Sequence, residues 1–146
     1  MAYAGSKSQA GRGSMLSIGA TPTEVGECSD VPFTRPEWDF VDVTNFDSSS
    51  DQEMLATIRK AATFACKGNR VMSDAGQLLV EAAYQSGALT AFTLTLPKTP
   101  TQTTKGDVYT FNAFVKTFGF DISPTKQIEF NLSLQTSGAV TFTAGS

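Results

Sequence analysis

From Gln127 to Gln135 the chain alternates polar and apolar residues without a fault. Ile128, Phe130, Leu132 and Leu134 fall on one side of an extended chain; Gln127, Glu129, Asn131, Ser133 and Gln135 fall on the other. Successive side chains of a strand point to opposite faces, so a period of two marks a strand buried on one face only. The pattern excludes a helix here and requires water, or a hydrophilic channel, beside the polar face. Similar patterning fills the C-terminal half. Phe92, Leu94 and Leu96 share a face against Thr93 and Thr95, and Pro97 ends the run. The tract Lys98–Gly106 is polar and reads as a loop. Tyr109, Phe111, Ala113 and Val115 then alternate with Thr110, Asn112, Phe114 and Lys116, which puts bulky groups on both faces. Ser137-Gly138 turns the chain into Val140–Thr143. Composition agrees, since 19 Thr and 11 Phe suit a pleated, half-buried surface.

One helix interrupts the strands. Asp74 followed three residues later by Gln77 is a capping-box arrangement, and Gly87 supplies a C-terminal stop. Leu78, Leu79, Ala82 and Ala83 form its apolar stripe, so the expectation is a helix over about 75–86 packed by those residues. Met54–Ala65 fits two periods. Met54, Leu55, Ile58, Ala61, Ala62 and Ala65 have helical spacing, while Leu55–Ile58 and Ala62–Cys66 also read as strands joined by a turn at Arg59–Ala61. Residues 1–22 are rich in Ala, Gly and Ser and contain no acid, which suggests a flexible N-terminal arm before a single domain over 23–146. Between Val31 and Asp51, Trp38, Phe40, Val43 and Phe46 stand out in a polar, Pro- and Asp-punctuated stretch.

The chemistry of sites is largely excluded. The 146 residues include no His, which removes Ser-His-Asp and Cys-His catalysis and His-containing metal sites. Asp39, Asp42, Asp47 and Asp51 lack the ligand order of a calcium loop. Cys28 and Cys66 lack zinc spacing, and two reduced thiols are the expectation. No nucleotide-binding fingerprint occurs. No apolar run approaches the about 18 residues of a membrane-spanning helix, and the N-terminus lacks a signal-peptide core. A net charge of −3, with 11 basic residues thinly spread, argues against tight nucleic-acid binding. Neither an enzyme, a cofactor nor a metal is expected.

The order of pieces resembles the tail tube protein (major tail protein) of long, non-contractile-tailed bacteriophages and their gene-transfer-agent relatives. The resemblance runs over residues 24–143. Glu24–Cys28 leads into Arg35-Pro36-Glu37-Trp38-Asp39, then Val41-Asp42-Val43-Thr44 and Asp47-Ser48. Gln77-Leu78-Leu79 and Tyr84–Gly87 precede Ala91–Pro97, and the most specific part is Tyr109–Val115 followed by Gln127–Gly138. Ala113 stands where the family often has Gly, and Met54–Ala65 is more helix-like than the family's pattern.

The resemblance implies a mainly β fold, a β-sandwich of antiparallel sheets flanked by one helix, and favours strands within Met54–Ala65. It also implies hexameric rings that stack into a tube, a conduit for DNA in the virion, assembled in the host cytoplasm. Implied partners are further copies of the chain, the tape measure protein, the tail terminator and tail-tip proteins. DNA would pass without sequence-specific binding, and no membrane is involved. On this reading Gln127, Glu129, Asn131 and Gln135 face the lumen. Residues 1–22 and 39–60 order on stacking, with Trp38, Phe40, Phe46 and Met54 as inter-subunit contacts. The same aromatic groups would equally serve to plug the ends of the sandwich. Two other readings remain: a carbohydrate- or cell-surface-binding β-sandwich using Trp38 and Tyr109 as platforms, and the tube protein of a contractile tail or secretion system.

Overall fold

The computed structural model describes residues 13–47, 51–99, 102–104 and 106–146. In chain order the elements are β1 (Met15–Ile18), β2 (Thr23–Glu24), β3 (Cys28–Asp30), β4 (Glu37–Asp42), β5 (Met54–Lys60), β6 (Thr63–Asn69), α1 (Ala75–Ser86), β7 (Thr90–Thr95), β8 (Val108–Asp121), β9 (Glu129–Thr136) and β10 (Thr141–Thr143). The expected sandwich is built from one curled antiparallel sheet with the neighbour order β2-β1-β7-β8-β9-β6-β3. β4 and β5 form a separate two-stranded ribbon.

The alternation of 127–135 holds within β9, whose Phe130, Leu132 and Leu134 are fully buried. The strand itself begins at Glu129, so Gln127 lies just before it. Phe92 and Leu94 of β7, and Phe111, Ala113 and Val115 of β8, fill the same core. Each large side chain removed from water there contributes about 1.5–3 kcal/mol. A register shift between Val115 and Thr117 then puts Phe118, rather than Thr117, into the core. An extra residue of this kind reverses which parity of the strand faces inward. Phe114, before the bulge, stays on the outward face opposite Gln135. β10 pairs with β8 at Val108–Thr110, below the β9 pairing at Ala113–Asp121. The Ser137-Gly138 turn, with Gly138 at φ 85°, therefore sidesteps along the same edge of β8.

Three expectations need correction. Within the supposed arm, Met15–Ile18 is an interior strand between β2 and β7, and Leu16 and Ile18 belong to the core. Four residues were too few for periodicity to reveal a strand; residues 1–12 lie outside the described residues. Second, residues 39–60 are not an unstructured stretch: β4 and β5 pair from Glu37–Lys60 to Asp42–Met54. Residues 48–50 at its tip are outside the description. The strand reading of Met54–Ala65 is the correct one.

Third, α1 turns a different face to the core. It is capped as expected, with the Asp74 carboxylate accepting from Gln77 N at 3.0 Å and Gly87 in the left-handed conformation. Its buried residues, however, are Gly76, Gln77, Val80 and Ala83, while Leu78 and Leu79 are 50% and 44% exposed. Close approach decides this. A Cβ on Gly76 would stand 2.0 Å from the Glu24 carbonyl oxygen, so only the glycine face lets the helix lie against β2. Gln77 does not complete the capping box. Its Nε2 donates to Gly26 O (2.9 Å) and Asn69 O (3.0 Å), and its Oε1 accepts from Val71 N (2.9 Å) and Arg70 Nη1 (3.2 Å).

Two predictions follow from the packing. Gly76→Ala should lower stability by about 2 kcal/mol in urea unfolding, although alanine favours an isolated helix by about 1 kcal/mol; an increase would show that the helix can back away from Glu24. Cys28 and Cys66 are free thiols, pushed up chiefly by burial to about 11 and about 12 from an ordinary 9.0. The unfolded chain releases these protons first, so stability should fall as pH rises from 9 towards 11–12. Cys66→Ala should be less stable at neutral pH, and its stability should fall less steeply above pH 9. An unchanged slope would show that the thiol is not responsible.

Candidate assembly surface

Among the described residues no cluster of three or more His, Cys, Asp or Glu side chains could hold a metal ion. An open groove of about 780 Å³ runs past Met15, Cys28, Phe33, Arg35, Leu94 and Tyr109. Its thiol, with the pKa raised, is a poor nucleophile at neutral pH. No helix among the described residues is long and apolar enough to cross a membrane. The surfaces richest in unspent binding energy lie elsewhere.

The β4–β5 ribbon is the first. It is about 20 Å long, packs almost entirely on itself, and exposes every residue of β5. Opposed residues of an antiparallel pair share a face. The pairs Trp38–Arg59, Phe40–Ala56 and Asp42–Met54 therefore put Trp38, Phe40 and Met54 together on one face. Val41 and Leu55 lie on the other face, where Lys60 Nζ stands 3.7 Å from Asp39 Oδ1. Phe46 is fully exposed in the loop beyond. The four expected contact residues are thus displayed to solvent, and Trp38, Phe40 and Phe46 do not plug the sandwich. The loop base is ordered: Asp42 accepts from Thr44 N at 2.9 Å and Gln52 Nε2 at 3.0 Å. Hydrogen bonds from Thr44 above all, then Gln52, hold its carboxyl below the usual range.

Of the two proposed sugar platforms, Tyr109 is half-buried against Phe33, Phe142 and Arg35, while Trp38 stays exposed with Arg59 over its ring at 5.2 Å.

The second surface is the outward face of the sheet. Glu129, Asn131 and Gln135 lie opposite the buried Phe130, Leu132 and Leu134, and Gln127 donates to Asn69 Oδ1 at 2.9 Å. Ser133 belongs to the same row, and Thr63, Ala65 and Lys67 of β6 lie beside it. On β8, Thr117, Gly119 and Asp121 continue it. Hydroxyls and amides dominate, and the charges of Lys67, Glu129 and Asp121 are mixed. The acidic excess lies instead on the ribbon and its loop, with Glu37, Asp39, Asp42, Asp47, Asp51 and Glu53.

The third is the outer face of α1, which the sequence reading placed inside. Ala75, Leu78, Leu79 and Ala82 are all exposed at positions i, i+3, i+4 and i+7. The signal was present as periodicity, but the helix carries two apolar stripes and periodicity could not rank them.

No protein-family model and no curated protein matches this chain. Solved structures do. A chain in the virion of a native gene transfer agent particle has a TM-score of 0.73 at 16% identity, covering 94% of this chain and 100% of that one. A chain in the six-fold symmetric tail of the empty particle matches equally. The SPP1 tail tube matches with a TM-score of 0.65 at 13% identity, over 91% of this chain and 77% of that one. This is a tail tube fold. A chain of the sheath–tube complex of an extracellular contractile injection system shares it, with a TM-score of 0.60 at 12% identity over 90% and 88% of the two chains.

The ribbon's independence from the core is measurable. Trp38→Ser and Phe40→Ser should each change unfolding free energy by less than about 0.5 kcal/mol, as surface substitutions do. A loss above about 2 kcal/mol would show that the ribbon supports the core.

Proposed function

We propose that this chain is the repeating subunit of a tail tube: six copies close a ring, rings stack, and the hollow tube conducts DNA. The observation that carries this reading is an apolar ribbon exposed on both faces in a fold shared with a six-fold symmetric tail. A ribbon of that composition gains stability only when another surface covers it, and the contact residues are Trp38, Phe40, Phe46 and Met54. Closing sheets into a barrel would also remove edges that otherwise invite aggregation.

On this reading Gln127, Glu129, Asn131, Ser133 and Gln135 line the lumen. A wall dominated by amides and hydroxyls, with Lys67 against Glu129 and Asp121, holds no array of cations to grip phosphates. The chain acts as a structural, non-catalytic component of a virion, and its further partners are the tape measure protein, tail terminator and tail-tip proteins.

Negative-stain electron microscopy of dilute and concentrated protein should show rings, then hollow tubes. Phe46→Ser should leave the melting curve unchanged and stop tube growth; an unfolded variant would refute the interface role. Wild-type protein that remains monomeric at high concentration, even with preformed tail tips added, would overturn the proposal. The likeness to a sheath–tube complex supports a second reading as a contractile tube. Micrographs of native particles separate the two, since a contractile tail carries a second, outer layer around the tube.

A further inference from the structure

The loop at the tip of the ribbon joins a large apolar group to an excess of acid. Phe46 is fully exposed there, and Asn45 Oδ1 accepts from Asp47 N at 2.8 Å, which fixes the turn that displays it. From Glu37 to Glu53 every charged residue is an acid. The ribbon's own cations, Arg59 and Lys60, stand at its other end, opposite Trp38 and Glu37. Asp42, Asp47, Asp51 and Glu53 therefore leave the loop end negative, and the surface that accepts it must be basic.

The open groove past Met15, Phe33, Leu94 and Tyr109 has both properties such a loop requires. Its lining is largely apolar, and its volume of about 780 Å³ admits a phenyl ring. Arg35 stands on its rim, with the guanidinium over the Tyr109 ring at 5.5 Å. Among the described residues neither Arg35 nor Asp47 makes an ion pair. Asp30, the one acid of the lining, lies opposite Lys67 in the β3–β6 register. At one end of the groove Gly13 meets Pro97, where an added Cβ would stand 3.5 Å from Pro97 Cβ. The stretches that lead to this contact, Met1–Thr23 and Lys98–Gly106, contain Lys7, Arg12, Lys98 and Lys105 and no acid. Asp107 and Ser146 accept from Gly145 N and Thr104 N at the same corner, and the cations outnumber them.

One chain cannot make this contact with itself. Arg35 stands two residues before the ribbon begins, and the ribbon packs almost entirely on itself. It carries Phe46 about 20 Å away from its own groove. The occupant is a second copy.

We propose that the groove is the seat for the ribbon loop of a second copy of this chain, with Phe46 of one copy on the apolar floor of the other and Asp47 of the first paired to Arg35 of the second. Loop and groove sit at opposite ends of one ribbon, so the contact is head-to-tail and the ribbon sets the spacing between copies. The inference deepens the tube reading and rests on it for its biological setting, and not for its geometry.

The test uses the full chain and reads self-association by sedimentation, with tubes scored by microscopy and melting curves confirming that each variant folds. Arg35→Glu and Asp47→Arg should each raise the concentration needed for association by about 10-fold or more. The double variant should recover to within about 3-fold of wild type; a double variant no better than the singles would overturn the pairing. A cysteine placed on the groove rim by Ser14→Cys should react with maleimide in the monomer and be protected in the assembly, relative to wild type. Tubes that form with single variants unimpaired, or with the new cysteine equally reactive, would overturn the docking and leave the tube reading standing. Association that obeys the charge swap without giving rings or tubes would support the docking and sink the tube. Wild-type protein that never associates would overturn both.

Discussion

A single carboxamide, that of Gln77, ties α1 to the turn before β3 and to the end of β6. Its two donors go to the carbonyls of Gly26 and Asn69, and its oxygen accepts from Val71 and Arg70. All four hydrogen-bonding sites of the group are used, and a buried amide that is fully satisfied costs little while fixing direction strongly. One residue earlier, Gly76 lets the helix touch the Glu24 backbone. One turn before, Asp74 caps the helix and accepts from Gly26 N at 3.0 Å. These three contacts set the rotation of α1 about its axis. Everything the helix then shows to solvent follows from that rotation.

The consequence is a division of labour between two stripes on one helix. Gly76, Gln77, Val80 and Ala83 make the inner contact because the Glu24 backbone leaves no room for a larger side chain at position 76. Leu78 and Leu79 are displaced outward, at a cost in exposed apolar area that the isolated subunit does not recover. The ribbon repeats the theme on a larger scale, with apolar groups on both faces and a hydrogen-bonded loop base that keeps its shape. The core is complete without these groups.

Strand parity governs the sheet in the same way. β9 keeps a strict alternation from end to end, so its polar row stays on one face beside β6. β8 breaks parity once, between Val115 and Thr117, which brings Phe118 inward beside Phe130 at a ring separation of 5.7 Å. Arg70, already bonded to Gln77, then lies over the rings of Phe118 and Phe120. The bulge and the helix anchor therefore belong to one connected region, and the far half of β8 is curled by both.

Local chemistry determined the β class, the helix ends at Asp74 and Gly87, and the inner and outer faces of β7 and β9, because each depends on residues within a few positions of one another. The exposed polar row of β9 and the aromatic groups at Trp38, Phe40 and Phe46 were legible for the same reason. Only the tertiary structure decided which stripe of α1 is buried, that Met15–Ile18 is an interior strand, and that Trp38, Phe40 and Met54 share one face of a free ribbon. Those outcomes depend on contacts between distant segments: Gly76 against Glu24, Leu16 beside Leu94, Asp42 opposite Met54. Periodicity counts apolar stripes but carries no information on how closely another backbone will approach them.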